Sequence, residues 1–269
     1  RELNFFLQKF KQEIKIIVHL GAITSTIENN VQLIIENNLS LSMFLWRWSL
    51  KNKKRFIYAS SAATYGDGKS GFNDIDSIEY LSKLFPLNLY GWSKHTFDKF
   101  IIKKKKRGEE PIQCVGLKFF NVYGPNEFHK GEMRSLILKI FEKLMKKQKV
   151  FLFKSHNTLF KDGEQLRDFI YVKDVIKIIN WFVNNPKVNG IFNVGTGNPR
   201  SFKDLANNVF LNCNIRENIK YIPTPEKIRE QYQYFTKAEI NKLKKAGYKK
   251  KFTSLEEGIK DYIRNYLSK

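Results

Sequence analysis

The segment "YGWSK" at residues 90–94 places a tyrosine and a lysine four positions apart. On a helix, residues i and i+4 lie on the same face, so Tyr90 and Lys94 would point into the same space. A nearby ammonium group favours the ionised form of a phenol, which would let the tyrosine exchange protons closer to neutral pH. The spacing therefore predicts a proton-transfer site at the start of a helix.

The same spacing occurs again at Tyr65 and Lys69, in "YGDGK". A Gly-Asp-Gly turn does not keep these two residues on one helical face, so we expect no chemistry there. The first pair gains support from Ser60 and Ser61, which end the apolar segment "RFIYASS". If that strand end and the helix start share one crevice, a hydroxyl, a phenol and an ammonium converge. This set suits chemistry at a carbinol carbon.

Elements that could position these groups alternate along the first half of the chain. Apolar segments typical of buried strands are "IKIIVHLGA" (14–22), "RFIYASS" (55–61) and "IQCVGLKFFNVYG" (112–124), and the helical segments between them are 31–50 and 90–108. This alternation predicts an α/β fold, a parallel sheet with helices on both faces. Ligands in such sheets bind at the carboxyl ends of the strands.

The second half of the chain follows a different rhythm. A helix with an apolar stripe precedes a short strand, "VFLF" (150–153), and a polar loop that carries Arg167. A strand-helix-strand pattern follows, ending in "GIFNVGTG". Two helix starts are predicted from capping boxes, Thr236 with Glu239 and Ser254 with Glu257.

Composition excludes several classes of protein. The longest apolar stretch falls short of the about eighteen residues that span a bilayer, and two cysteines and four scattered histidines predict neither a disulfide framework nor a metal site. The net charge of +22 is spread along the chain without a nucleic-acid-binding motif. We therefore expect a cytoplasmic protein with anionic, phosphorylated substrates and neither nucleic acid nor membrane as a partner.

Three segments, "YASSAATYG", "YGWSK" and "FFNVYGP", resemble the extended short-chain dehydrogenase/reductase family, the NAD-dependent epimerases and dehydratases that act on nucleotide sugars. The blocks "FNVYGPNEFHKGEMRS" (120–135) and "DGEQLRDFIYV" (162–172) are similar to those of the family's ADP-heptose epimerases. The resemblance implies a Rossmann-type NADP-binding domain in residues 1–122 with 168–196. A smaller mixed α/β domain in residues 123–167 with 197–269 would bind the nucleotide sugar.

The resemblance also implies a reaction. A hydride would pass from C6 of an ADP-heptose to tightly bound NADP, with NAD not excluded, and return to the other face of the transient ketone. The product would serve lipopolysaccharide inner-core synthesis, and the enzyme would be a homo-oligomer. Ser61 would bind the reacting hydroxyl, Tyr90 would be one acid/base group, and Lys130 in "HKG" would be the other.

The family pattern extends to two sets of binding residues. The cofactor-binding residues it implies are Gly21, Ala22, Thr24, Asn37, Lys94, Val122 and Lys130. The substrate-binding residues it implies are Ser61, Asn121, Glu132, Lys139, Phe153, Lys154, Ser155, His156, Arg167 and Tyr232. Arg167 would fork onto the diphosphate.

Two features depart from the family pattern. The glycine-rich pyrophosphate turn at the first strand does not occur in this sequence, and "NVGTGNP" (193–199) comes too late to replace it. Because the chain opens with Arg1, we expect it to lack its first strands. Glu132 stands where the family often has a small residue.

Two alternatives therefore stay open. A UDP-hexose 4-epimerase is the nearest, and a truncated, non-catalytic basic remnant is another. A dehydratase is disfavoured because Ala62, Ala63 and Thr64 replace its usual Asp-Glu pair.

Overall fold

The computed structural model describes residues 2–229 and 232–268. Its strands are β1 Ile16–His19, β2 Arg55–Ser61, β3 Cys114–Phe119, β4 Asn121–Tyr123, β5 Val150–Phe153, β6 Leu166–Arg167, β7 Phe169–Tyr171, β8 Gly190–Val194, β9 Arg200–Ser201 and β10 Ile219–Ile222. Its α-helices are α1 Glu2–Lys9, α2 Val31–Ile34, α3 Leu41–Lys51, α4 Ile78–Leu81, α5 Leu89–Lys105, α6 Leu136–Met145, α7 Val172–Asn184, α8 Phe202–Asn212, α9 Glu226–Arg229, α10 Asn241–Lys245 and α11 Leu255–Tyr262.

The chain divides into two compact units. The first unit comprises Arg1–Phe119 with Trp181–Asn193, and the second unit comprises Phe120–Asn180 with Val194–Lys269. No helix among the residues that the structure describes is both long and apolar enough to cross a membrane. The assignment of cofactor binding to one part of the chain and sugar binding to the other stays a prediction.

The first unit is built on a sheet with the strand order β1-β2-β3-β8. β2 pairs in parallel with both β1 and β3. Since all six final residues of β2 are buried, this strand lies in the interior, as its unbroken apolar sequence predicts. Aromatic side chains from β2, α3 and α5, among them Trp46, Phe56 and Phe97, form the core on which α5 rests. The predicted α/β class with a parallel sheet is confirmed.

A π-helical turn, Ile35–Ser40, joins α2 to α3 within the predicted helix 31–50. Its residue Asn38 is buried, with 1% of its surface exposed. A π-turn adds one residue to a helical turn and is often found at functional sites. Asn38 lies next to the loop that follows β1, because its side chain forms hydrogen bonds with the main chain of Ile23.

In its described residues, the second unit contains three small sheets and a helical core. β4 pairs with β7 and β5 with β10 in parallel, and β6 pairs with β9 in an antiparallel ladder. Apolar side chains of α6, α8 and α11 pack together, including Ile137, Val209 and Ile259. The predicted capping box at Ser254 and Glu257 opens α11, with both reciprocal hydrogen bonds present.

Two predictions about elements are wrong. The strand predicted over 112–124 is interrupted at Phe120, because its first part pairs with β2 whereas Asn121–Tyr123 pairs with β7. No helix begins at Thr236. The Thr236 hydroxyl instead accepts a hydrogen bond from the main-chain N–H of Asp168 at 3.2 Å, and the next helix starts at Asn241.

Candidate active site

The first unit brings Ser61, Tyr90 and Lys94 together. β2 ends at Ser61, and α5 begins at Leu89 after the Asn88 side chain accepts a hydrogen bond from the Gly91 N–H at 2.8 Å. Tyr90 and Lys94 therefore lie one turn apart on α5. The Ser61 hydroxyl lies close enough to the Tyr90 phenol to act on its pKa. The sequence-predicted triad is thus one geometric group.

Gly91 explains why the start of α5 can approach the end of β2 so closely. A Cβ atom at this position would lie 2.8 Å from the Ala63 carbonyl oxygen and 3.2 Å from the Pro86 side chain. Any other residue would push α5 away from the turn that follows Ser61. The glycine in "YGWSK" therefore has a steric role in bringing the phenol to the serine.

The acid-base properties of this group are set mainly by burial. Burial raises the pKa of the Tyr90 phenol above its ordinary value, and the nearby Ser61 hydroxyl acts in the opposite direction. Burial also lowers the pKa of Lys94 to about 8, against the favourable charge of Asp98. The expectation that Lys94 would bring the pKa of Tyr90 below its ordinary value is wrong, because desolvation dominates.

Lys94 is suited to a ligand that the chain does not itself supply. Only 3% of its surface is exposed, and among the described residues no group forms a hydrogen bond with its ammonium. A buried cation whose N–H donors have no acceptors is costly unless a further group accepts their hydrogen bonds. The hydroxyls of a cofactor ribose would supply such acceptors, so Lys94 fits the ribose of a nicotinamide dinucleotide at this position.

The loop after β1 carries Gly21, Ala22 and Thr24, which the sequence assigned to the cofactor. Asn38 fixes this loop through two hydrogen bonds with the main chain of Ile23, at 2.8 and 3.0 Å.

The same side chain donates to the Ser93 hydroxyl at 3.0 Å, which links the loop to α5. Asn37 instead donates to the Leu33 carbonyl at 2.9 Å. The sequence analysis did not single out Asn38. The feature that could have indicated it is the polar pair Asn37–Asn38 inside an otherwise apolar helical segment.

Arg167 is the most buried of the predicted site's cations that lie in the second unit, with 7% of its surface exposed. Its guanidinium lies 5.5 Å from the Phe202 ring centre and 5.4 Å from that of Tyr232. It donates to the main-chain carbonyls of Leu166 and Gln233. Among the described residues no carboxylate pairs with it, and burial lowers its pKa to about 10. Arg167 is therefore a cation without a counterion among the residues that the structure describes.

An aromatic wall surrounds this guanidinium. The Tyr232 ring packs edge-on against Phe153 at 6.2 Å and against Tyr234 at 5.2 Å. The predicted segment 153–156 continues from it: Lys154 and His156 are exposed, and the Ser155 N–H donates to Asp162 at 2.8 Å. The structure thus brings together Arg167, Tyr232 and the segment 153–156 in one unit.

Lys130 lies in a 3-10 helical segment, Phe128–Met133, and its side chain is exposed. Among the described residues no carboxylate or carbonyl binds its ammonium. Glu132 is exposed as well and forms an ion pair with Lys139 at 3.2 Å. Glu132 and Lys139, both predicted to touch substrate, therefore contact each other.

Two further predicted residues lie in β4. Asn121 is exposed and Val122 is half-buried, and their main chains pair with Phe169 and Ile170 of β7. The role of Asn121 at the substrate and of Val122 at the nicotinamide stays a prediction.

The two segments to which the sequence analysis gave no role in the site, "YGDGK" and "NVGTGNP", have structural roles. Tyr65 donates to the Asn193 side chain at 2.6 Å, whereas Lys69 is exposed and pairs with Asp67, so this second Tyr-Lys pair forms no site. In "NVGTGNP", the N–H groups of Thr196 and Gly197 donate to the Asp168 carboxylate at 2.7 and 2.8 Å. That loop binds an internal carboxylate rather than a phosphate.

Three histidines that the sequence did not assign to catalysis have other surroundings. Burial lowers the pKa of His19 and of His95 to about 4. The His156 ring accepts a hydrogen bond from the Thr224 N–H at 3.1 Å. None of these three rings contacts the hydroxyl of Ser61 or Tyr90 through a described hydrogen bond.

Known proteins share this sequence and fold. Residues 3–195 match the NAD dependent epimerase/dehydratase family. The chain is 47% identical to an ADP-L-glycero-D-manno-heptose-6-epimerase of Fusobacterium nucleatum, over 95% of this chain and 78% of that protein. It is 44% identical to the enzyme of the same name from Nitratidesulfovibrio vulgaris, over 95% of this chain and 77% of that protein.

A solved structure agrees with these relatives. The crystal structure of the Helicobacter pylori ADP-L-glycero-D-manno-heptose-6-epimerase has a TM-score of 0.78 and 29% identity, and the match covers 97% of this chain and 76% of that one. The parallel sheet, the Ser61–Tyr90–Lys94 group and these matches lead to one conclusion: the chain belongs to the NAD dependent epimerase/dehydratase family.

Proposed function

We propose that this chain inverts the configuration at C6 of an ADP-linked heptose, between the D-glycero and L-glycero forms, by transient oxidation with NADP. One observation carries the proposal: Ser61, Tyr90 and Lys94 form a single group in a chain that is 47% identical to a relative named for this activity. The choice of NADP over NAD rests on the family resemblance.

Three residues of the first unit handle the reacting oxygen and the cofactor. When bound, the nicotinamide supplies the hydride acceptor and donor for the carbinol carbon. Ser61 holds the substrate hydroxyl, and Tyr90 removes its proton as the alcohol becomes a ketone. Lys94 donates to the ribose hydroxyls and, once they shield the site, its charge favours the phenolate form of Tyr90.

Inversion requires the ketone to be reduced on its other face, so its oxygen has to be served from a second position. Lys130 is the second acid/base group. Its support is the "HKG" motif and an exposed ammonium that no described carboxylate neutralises. A 4-epimerase of hexoses would not need this residue.

The second unit recognises the nucleotide. Arg167 supplies a buried fork of N–H donors, which can form two parallel hydrogen bonds with the diphosphate. Tyr232 and Phe153 offer aromatic faces beside it, where an adenine or ribose can pack. Lys154, Ser155 and His156, together with Glu132, Lys139 and Asn121, complete the sugar site.

Compartment and assembly are parts of the same proposal. Cys114 and Cys213 are both free thiols, which suits a reducing cytoplasm. We expect a homo-oligomer, as the family resemblance implies, and light scattering of the purified protein tests this.

The deciding experiment offers the purified protein ADP-D-glycero-D-manno-heptose with NADP and follows the configuration at C6 by proton NMR. Conversion to the L-glycero form is expected, and Tyr90→Phe serves as the matched inactive control. Lys130→Ala should abolish epimerisation while the ketone still forms. Conversion of UDP-galactose with the heptose untouched would show a hexose 4-epimerase instead. RNA binding that falls with salt, together with no NADPH fluorescence change, would indicate a basic binding protein.

A further inference from the structure

A fully buried ion pair lies behind the Ser61–Tyr90–Lys94 group in the first unit. The Lys118 ammonium donates to the Asp98 carboxylate at 2.7 Å, and their side chains are 1% and 0% exposed. Lys118 is the penultimate residue of β3, in the apolar run "CVGLKFF", and Asp98 lies on α5. The pair therefore joins the sheet to the helix that carries Tyr90 and Lys94.

Both members of the pair have further partners. The Asp98 carboxylate accepts hydrogen bonds from Tyr58 at 2.9 Å and from Ser60 at 2.7 Å. The Lys118 ammonium also donates to the Thr64 hydroxyl at 2.5 Å and lies 4.8 Å from the Tyr65 ring centre. The ion pair therefore contacts four elements: β2, the turn after β2, β3 and α5.

These partners lie next to each residue of the candidate triad. Ser60 precedes Ser61, and the Thr64 hydroxyl donates to the Ser61 carbonyl at 2.8 Å. Asp98 follows Lys94 by one helical turn and Tyr90 by two, so all three share one face of α5. The ion pair contacts every element that carries a triad residue.

A buried ion pair is weak as a device for stability alone, because desolvation offsets most of its attraction and apolar residues of the same volume often serve as well. Its position suggests a different use. We propose that Asp98 and Lys118 are positioning residues for the reaction, which hold Ser61 and Tyr90 in register and place a negative charge one turn from Lys94. This inference rests on the proposed function.

Other ionisable groups surround Lys94 and the Asp98 carboxylate. They are His19 from β1, Tyr58 from β2, Tyr65 from the following turn, Lys118 from β3, and Tyr90, His95 and Lys99 from α5. The two histidines have pKa values of about 4, and burial raises the pKa of each of the three tyrosines. The Lys94 pKa is about 8, and the Asp98 charge opposes its further fall.

The test uses Asp98→Asn, which keeps the shape and removes the charge, and the double variant Asp98→Asn/Lys118→Met, which leaves no unpaired charge. Asp174→Asn is the matched control, since Asp174 is a buried carboxylate with a lysine partner at 2.8 Å in the second unit. For both Asp98 variants we expect kcat to fall by about a hundredfold with KM for the nucleotide sugar unchanged. The alkaline limb of the pH profile should move to lower pH.

A second readout does not depend on turnover. Titration of the Lys94 side chain by NMR, in protein labelled at the lysine Cε and assigned with Lys94→Met, should show a lower pKa in both Asp98 variants and no change in Asp174→Asn. Restored thermal stability in the double variant, together with wild-type kcat and an unshifted Lys94 titration, would overturn the proposal. If the heptose is not a substrate but the titration shifts, the proposed function fails and the positioning role stands.

Discussion

Lys118 in the first unit and Arg167 in the second unit are both buried cations, and their surroundings differ. Lys118 has a carboxylate at 2.7 Å and a hydroxyl at 2.5 Å, so the protein neutralises its charge internally. Arg167 lies between two aromatic rings and two main-chain carbonyls, and no carboxylate among the described residues pairs with it.

This difference distinguishes two uses of a buried charge. A cation already paired with Asp98 has little left to offer a ligand, so it can act only on the residues around it. A buried cation without a counterion gains its ionic partner when an anion binds. Its desolvation cost was already incurred during folding, so binding does not add that cost. We therefore expect substitutions in the first unit to change turnover, and substitutions around Arg167 to change affinity for the nucleotide.

The largest effect is expected for Tyr90→Phe. Loss of the phenolic hydroxyl removes the group that exchanges the proton, so kcat should fall by about a thousandfold. Affinity for ADP should stay the same, because that ligand is assigned to Arg167. Steady-state kinetics and calorimetric ADP titration measure the two quantities. An unchanged kcat in this variant would contradict the assignment of proton transfer to Tyr90 in the first unit.

The next effect concerns Arg167→Lys, which keeps the charge and loses the planar fork. The dissociation constant for ADP should rise by about thirtyfold, equivalent to about 2 kcal/mol, since a bidentate pair becomes a single contact. Arg200→Lys is the matched control, because Arg200 already pairs with Asp204 and Glu256. Equal losses in the two variants would mean that the planar fork of Arg167 has no special role in binding ADP.

A pH series separates the two units without mutation. As Lys94 loses its proton above a pKa of about 8, kcat should fall by about tenfold between about pH 7 and pH 9. Arg167 stays charged over this range, because its pKa is about 10, so ADP affinity should be constant. If affinity fell together with kcat, one titrating group would serve both functions.

Lys94 affects folding stability in the direction opposite to its effect on kcat. Its folded pKa of about 8 lies below the ordinary value of 10.5, so the unfolded chain binds more protons between these values. The Lys94 contribution to the free energy of unfolding therefore increases as pH rises through this window. Comparing denaturant unfolding of the wild type and Lys94→Met over this range measures it.

The smallest effect is expected for Tyr232→Leu. Removing one of the two rings beside the guanidinium should weaken ADP binding by about threefold, in line with a partly exposed cation–π contact. Tyr232→Phe keeps the ring and should bind like the wild type. Equal binding by all three proteins would show that Phe202 alone orients Arg167.

The sequence predicted those parts of the site that local spacing determines. The helix predicted over 90–108 extends over Leu89–Lys105, and "RFIYASS" is β2 to the residue. Tyr90, Lys94 and Ser61 follow from these two elements, since a helix turn and a strand end fix their directions. The sequence also contained the sign of a buried charge, a lysine within "CVGLKFF".

What the sequence did not show depends on contacts between distant segments. The partner of Lys118 lies twenty residues earlier on α5, and only the packing of that helix on β3 pairs them. The break at Phe120 follows from a change of partner strand, which an unbroken apolar run does not mark. The Tyr90 pKa depends on burial, which outweighs the charge that the spacing emphasised.

The π-helical turn Ile35–Ser40 has a consequence for the helical phase of the segment 31–51. One additional residue in this turn offsets the faces of α2 and α3 by about 100° relative to an unbroken helix. That offset lets α3 bury Leu45 and Trp46 while Asn38 still reaches the main chain of Ile23. A one-residue deletion here would give a more regular helix and disconnect the loop after β1 from Ser93, so this segment should tolerate substitutions far better than changes in length.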